Sequence, residues 1–322
     1  MNGWQLERDL ERSYAAALAT RERIAGFVRV TPVLSLEPAS DGVARTLKLE
    51  LLQRTGAFKI RGAAAALSAA AERPRAVVAA STGNHGLAVA AVARALGLPC
   101  RVFVPVAAAP AKLARLRAGA GVEVVEVEGD PLLAELAARE AAAGEPGTLL
   151  VPPYNDVNVV LGQATLGLEL LEQIASAPDA LFAAVGGGGL IGGIALAVRA
   201  RWPRCRIVGC LPAASPAMAA VLAGGEVVAT PLEPTLSDAT AGGIEEGAIT
   251  VAICAALVDE FALIGEEEIA TAMRLALLEH SLAIEGASAV ALAASLRDGH
   301  GAHHVVVLGG GNVGAETLRE IL

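Results

Sequence analysis

KLELLQRTGAFKIRGA, residues 48–63, is the stretch from which the rest of the chain is read. Lys59 stands near its centre, after Gly56, Ala57 and Phe58 and ahead of an apolar, alanine-rich run with helical spacing. An amine in such surroundings is partly desolvated, and loss of hydration disfavours the ammonium form. Only the neutral amine attacks a carbonyl, so Lys59 is a candidate Schiff-base nucleophile. Read alone, the same residue also fits a solvated lysine near a helix start.

Upstream, residues 4–25 read as a surface helix ending near Gly26, and Thr31-Pro32 breaks into an extended segment. Strand-like residues 46–51 lead into the lysine turn, and residues 63–71 continue as helix. After Pro74 short apolar strands at 76–80, 101–105, 122–127 and 149–152 alternate with helices near 86–96, 110–118 and 130–143. A second series has strands near 180–185, 206–211 and 304–308. Alternation of this kind predicts βαβ units and an α/β fold of largely parallel sheets. A smaller lobe is expected at residues 76–145, with residues 1–75 and 146–322 forming the larger one. No internal repeat is visible, and the alanine-rich runs keep helical apolar faces, which favours folded helix over disorder.

Composition sets further bounds. Hydrophobic residues make up 54% of the 322 and aromatic ones 3%, so the core is aliphatic, as suits parallel α/β packing. A net charge of -9 without a basic cluster argues against nucleic acid as a partner. Cys100, Cys205, Cys210 and Cys254 lack a C-x-x-C spacing, which suggests neither zinc nor a disulfide framework and fits reduced core thiols. The first residues are charged and amphipathic where a secretion signal is apolar, and no stretch reads as a membrane span. The expected location is the cytoplasm.

Two turns carry chemistry. Ser81-Thr82-Gly83-Asn84-His85-Gly86 follows a strand and opens a helix, where main-chain amides favour an anion such as a carboxylate. Serine and threonine also cap helices routinely, so this hexapeptide alone has two readings. Val185-Gly186-Gly187-Gly188-Gly189-Leu190 occupies the same kind of position, and four successive glycines let consecutive N–H groups wrap a phosphate. A dinucleotide loop competes, but residues 204–209 offer no acidic ribose ligand.

Taken together, Glu50, Gln53, Thr55, Gly56, Phe58, Lys59, Arg61 and Gly62 resemble the lysine segment of the fold-type II pyridoxal-phosphate enzymes, in the serine/threonine dehydratase and serine racemase branch. The resemblance extends over nearly the whole chain through the S-x-G-N-H loop, the tetraglycine loop and a terminal G-G-N at Gly310 to Asn312. It implies a two-lobed fold like that of the tryptophan synthase β subunit, each lobe a largely parallel twisted sheet flanked by helices, the smaller lobe mobile. Lys59 then carries pyridoxal 5'-phosphate and serves as the base. Phe58, Asn84, Glu285, Leu190 and Gly309 surround the cofactor, with Asn84 on its ring hydroxyl and Gly186, Gly187, Gly188 and Gly189 on its phosphate. Ser81, Thr82, Gly83 and His85 meet the substrate carboxylate, His85 by position rather than as a base. Gly162-Gln163-Ala164-Thr165 resembles a G-Q-G-T segment whose role is helix packing. Tyr154 stands in a P-F-D-D-like loop, its hydroxyl facing either substrate or water, and Asp238 lies in the place of an A-D-G segment at the site entrance.

The chain departs from the family at three places. Gly309 replaces the serine or cysteine that contacts the pyridine nitrogen. Leu211 and Ala217 stand where racemase-like members hold a divalent cation, so no metal is expected. The chain stops soon after Asn312, where the isoleucine-inhibited threonine dehydratases continue into a regulatory domain, so that type of feedback is not expected. The implied activity is an ammonia-lyase converting a β-hydroxy amino acid, L-threonine, L-serine or a relative, to a 2-oxo acid and ammonia. Racemisation, with Thr82 as the second acid/base, and dehydration of hydroxyaspartate or a hydroxyectoine-derived intermediate are alternatives. β-Replacement is less compatible, since those enzymes carry T-S-G-N-T. A non-enzymatic nucleotide-binding protein has no use for Lys59. The family also implies a homodimer.

Overall fold

Short apolar strands alternate with helices through the computed structural model, which describes residues 5–38, 41–118, 121–129, 131–224, 233–297 and 299–322. Helix α1 (Leu10–Ile24) precedes β1 (Val33–Leu36) and β2 (Ala44–Leu49). Next come α2 (Lys59–Ser68), β3 (Ala76–Ala80), α3 (Asn84–Ala95), β4 (Cys100–Pro105), α4 (Pro110–Arg117), β5 (Val122–Val127), α5 (Pro131–Gly144) and β6 (Thr148–Leu150). The remainder is α6 (Val157–Gln173), β7 (Ala180–Ala184), α7 (Gly189–Val198), β8 (Arg206–Pro212), α8 (Ala217–Leu222), α9 (Ile249–Leu257), β9 (Glu260–Ile264), α10 (Glu266–His280), α11 (Gly286–Ser295), β10 (His303–Leu308) and α12 (Ala315–Ile321). Residues 4 and 130, the expected first residues of the leading helix and of α5, lie outside the described residues.

Two sheets result. One has the order β1-β2-β10-β7-β8-β9 and the other β5-β4-β3-β6. Every pairing is parallel except β1 with β2. That exception is the extended segment after Pro32, which forms β1: fewer than a dozen residues separate β1 from β2, too few for the crossover that a parallel partner needs. The strand β9 also escaped the sequence reading, because it is a half-buried edge of five residues without an alternating burial pattern. In the middle of the larger sheet, Val305 to Leu308 of β10 are fully buried, as a strand covered by helices on both faces must be. Asp9 caps α1 by accepting from the N–H of Arg12 at 3.0 Å. The alanine-rich runs are helical in α2, α3, α5 and α11.

The lysine segment differs from expectation at both ends. Strand β2 stops at Leu49, and a 3-10 turn over Glu50–Leu52 follows. The turn carries Glu50 inward, where its carboxylate accepts from Arg61 Nε at 2.8 Å, Arg61 Nη2 at 2.7 Å and the Thr31 hydroxyl at 2.5 Å. Helix α2 begins at Lys59 itself, four residues earlier than expected. Arg61 also donates to Glu169 on α6 at 2.7 Å, and Glu169 accepts from Lys48 of β2 at 2.6 Å. Lys48, Glu50, Arg61 and Glu169 are buried, so this neutral set of two cations and two anions ties β2, α2 and α6 together. Close helix packing completes the arrangement. A Cβ on Gly162 of α6 would come 2.5 Å from the carbonyl oxygen of Arg61, and one on Gly193 of α7 would lie 2.6 Å from that of Val160. The four cysteines are buried and unpaired. Among the described residues, no helix is long and apolar enough to cross a membrane.

Candidate active site

Lys59 is placed by two loop segments that zip together. The N–H of Phe58 donates to Gly309 O and the N–H of Gly311 to Gly56 O, each at 2.9 Å, with an antiparallel bridge between Ala57 and Gly310. At the head of α2 the Lys59 Nζ donates to the carbonyl oxygen of Pro153 at 2.9 Å and lies 5.3 Å from the Phe58 ring centroid. Burial lowers its pKa from 10.5 to about 8, while the Glu285 carboxylate pulls the other way. A carbonyl and a ring face orient the amine, and among the described residues no carboxylate pairs with it, the setting in which a lysine gives up its proton near neutral pH.

A cavity of about 370 Å³ opens beside this amine. It is lined by every candidate named from the sequence: Phe58 and Lys59; Ser81, Thr82, Gly83, Asn84 and His85; Tyr154; Gly186 to Leu190; Asp238; Glu285; and Gly309. Helix α7 starts at Gly189, and Gly188 before it adopts a left-handed φ of 81°. The first-turn N–H groups of a helix lack internal partners, so this turn presents donors to the cavity. A side chain at Gly187 would overlap the Tyr154 ring, and one at Gly188 would press on Met218 at 2.8 Å and Cys254 at 2.9 Å.

At the head of α3 the Ser81 hydroxyl accepts from the N–H of Gly83 at 3.1 Å, which shapes the turn and leaves the hydroxyl proton free. His85 is buried with Nε2 2.8 Å from Val151 O, so this nitrogen carries the hydrogen and donates. Burial, reinforced by the Lys59 charge, pushes its pKa down to about 3. A neutral imidazole tied to a carbonyl is a support, in line with a positional role. Asn84 Nδ2 meets both oxygens of Glu285 at 2.9 Å. Burial raises the Glu285 pKa, and the hydrogen bond from Asn84 opposes that rise.

The Tyr154 hydroxyl accepts from the N–H of Glu245 at 2.8 Å, a partner that the sequence does not reveal. The nearby side chains of Asn155 and Arg139 both donate to the Glu245 carboxylate, at 2.9 and 2.7 Å. Asp238 pairs with Lys112 at 2.5 Å. Lys112, Arg115, Pro153 and Asn312 also line the cavity and were not assigned roles from the sequence. The spacing of Lys112 and Arg115 offered a signal, since residues three apart share a helix face. Pro153 contributes a main-chain oxygen, which no side-chain pattern records.

Over residues 24–311 the sequence matches the family described as pyridoxal-phosphate dependent enzyme. An L-threonine ammonia-lyase of Geobacter sulfurreducens is 41% identical over 94% of this chain and 76% of that protein. A serine racemase of Arabidopsis thaliana is 34% identical over 97% of this chain and 98% of its own. The solved structure of maize serine racemase superposes with a TM-score of 0.88 at 29% identity, covering 95% of each chain. The chain belongs to the pyridoxal-phosphate dependent enzymes, with their fold-type II architecture.

The donor set suits that cofactor. A phosphate needs several converging N–H groups, an aldehyde needs an amine that deprotonates readily, and a ring oxygen needs a polar side chain out of bulk water. The α7 turn, Lys59 and Asn84 supply these on one cavity.

Proposed function

We propose that this chain is a pyridoxal-phosphate dependent ammonia-lyase acting on a small β-hydroxy amino acid, L-threonine or L-serine in the first place. The observation that carries the proposal is Lys59, a partly buried amine held 2.9 Å from the Pro153 oxygen and facing a cavity lined also by the helix starts at Asn84 and Gly189. Its relatives' names add support, an L-threonine ammonia-lyase among them. Bound pyridoxal phosphate supplies the electron sink that stabilises negative charge at the substrate α-carbon.

The chain's own residues do the rest. The N–H groups of the α7 first turn would hold the phosphate, and Leu190 and Phe58, packed beside Gly309, would line the place of the ring. Ser81, Thr82 and the first amides of α3 orient the substrate carboxylate, the Ser81 proton being free for it. Lys59 Nζ, neutral, takes the α-proton. The β-hydroxyl leaves with its bonding pair and takes up the proton that Lys59 removed from the α-carbon, departing as water, and hydrolysis of the resulting enamine gives the 2-oxo acid and ammonia. Asp238 and Lys112 neutralise each other at the entrance, so they favour a small uncharged side chain over a charged one.

Racemisation is the second reading, favoured by the Thr82 hydroxyl in the cavity and by serine racemase relatives. At the cation place carried over from the racemases, Leu211 and Ala217 are buried aliphatic residues, which weighs for the lyase. We also take from the family resemblance a cytoplasmic homodimer, checked by sedimentation of the purified protein. The deciding assay incubates holoenzyme with L-threonine and L-serine and follows oxo acid and D-serine together. Oxo acid in excess supports the lyase, and D-serine as the main product sinks it.

A further inference from the structure

Asn312 joins a polar chain in which each link leaves the next a single sense. Its Nδ2 donates to the main-chain oxygen of Thr55 at 2.9 Å, and a carbonyl only accepts. Its Oδ1 takes a hydrogen bond from Nη2 of Arg115, whose guanidinium only donates and whose Nη1 also reaches Asn312 O at 3.4 Å. Two partners therefore agree on one orientation of the Asn312 amide. The same Nδ2 donates to Asn84 Oδ1 at 2.6 Å. Asn84 must then turn its amino group toward Glu285, and its nitrogen does lie 2.9 Å from both carboxylate oxygens. A nitrogen placed evenly between two oxygens shares one hydrogen with them and keeps the second for the cavity.

The backbone makes room for this chain. Gly56 has a φ of 75°, and a Cβ there would approach Asn312 Oδ1 to 2.5 Å. A side chain at Gly310 would overlap Glu285 Oε1. An asparagine amide otherwise exchanges donor for acceptor by a half-turn that barely alters its shape.

We propose that Asn312 is a positioning residue that holds Asn84 with its amino group, rather than its carbonyl oxygen, toward Glu285 and the cavity. The ring oxygen of the cofactor then meets a donor. This inference rests on the reading of Asn84 as the cofactor's ring contact.

The test compares Asn312→Asp with Asn312→Ala. Aspartate keeps the shape but only accepts, so it draws the amino group of Asn84 to itself and turns the carbonyl oxygen to Glu285. Alanine removes the link and leaves Asn84 free to take either sense. Titration of each apoprotein with pyridoxal phosphate is expected to show the dissociation constant raised by about tenfold or more in Asn312→Asp and by less in Asn312→Ala, with the visible band displaced most in the former. A side chain that merely fills space beside Gly56 gives the reverse order, since alanine leaves a void and aspartate does not, and that order overturns the proposal. If melting of the apoproteins shows that Asn312→Asp does not fold, Asn312→Leu takes its place, filling the same space without an amide: an unchanged constant and band overturn the proposal, and a raised constant with a displaced band supports it. Asn84→Ala is titrated alongside. If it leaves constant and band unchanged, the ring-contact reading fails; if it changes them while neither Asn312 variant does, only the role of Asn312 fails.

Discussion

Lys59 owes its chemistry to what surrounds its amine. Burial disfavours the ammonium and brings the folded-state pKa to about 8 from 10.5, so the neutral fraction grows as pH rises through about 8. Capture of Lys59 by added pyridoxal phosphate, trapped by borohydride and located by mass spectrometry, is expected to accelerate up to about pH 8 and then level. A rise that continues to the ordinary lysine range contradicts the desolvated setting. The sign for stability runs the same way: the depressed pKa contributes stability above 10.5 that is lost as pH falls through about 8. Tyr154 has a different part. Its hydroxyl satisfies the N–H of Glu245, so Tyr154→Phe is expected to lower stability by about 1 kcal/mol in urea unfolding while leaving kcat for threonine near the original. A large fall in kcat with unchanged stability points instead to a hydroxyl that meets the substrate.

Among the elements, α2 carries the amine and is held by charge as well as by packing. Arg61 reaches Glu50 on one side and Glu169 on the other, and Glu169 also holds Lys48. Removing one anion leaves a buried cation without compensation, which costs about 3–5 kcal/mol. Glu169→Ala is therefore expected to lose roughly that much stability in denaturant unfolding. A loss below about 1 kcal/mol means that Lys48 and Arg61 find other partners or water.

In the molecule as a whole, three contacts join α4 and α5 of the β5-β4-β3-β6 layer to loops around the larger sheet: Lys112 with Asp238, Arg115 with Asn312, and Arg139 with Glu245. Exposed pairs of this kind contribute about 0–1 kcal/mol and are screened by salt. The double variant Lys112→Ala, Arg139→Ala is expected to keep global stability within about 2 kcal/mol in urea while raising KM for threonine. An unchanged KM denies these pairs any part in closing the cavity. Much of this architecture is legible in the sequence, since strand and helix periods alternate from Pro74 onward and the glycine turns follow strands. Of the edge strands, β1 reads only as an extended segment and β9 not at all, because half-burial blurs their period. The site's side chains could be named from their strings, but not the Pro153 oxygen or the Arg115 contact, which exist only once distant loops meet.

The central claim is that Lys59 carries pyridoxal phosphate and drives the loss of ammonia from a β-hydroxy amino acid. The most direct measurement is the visible absorbance of protein reconstituted with pyridoxal phosphate, for the original chain and for Lys59→Ala, followed by L-threonine and assay of 2-oxobutyrate. The account predicts a band that Lys59→Ala loses or displaces, with oxo acid released only by the original chain. A chain that stays colourless with the cofactor supplied, or a Lys59→Ala variant that turns over threonine at the original rate, contradicts it.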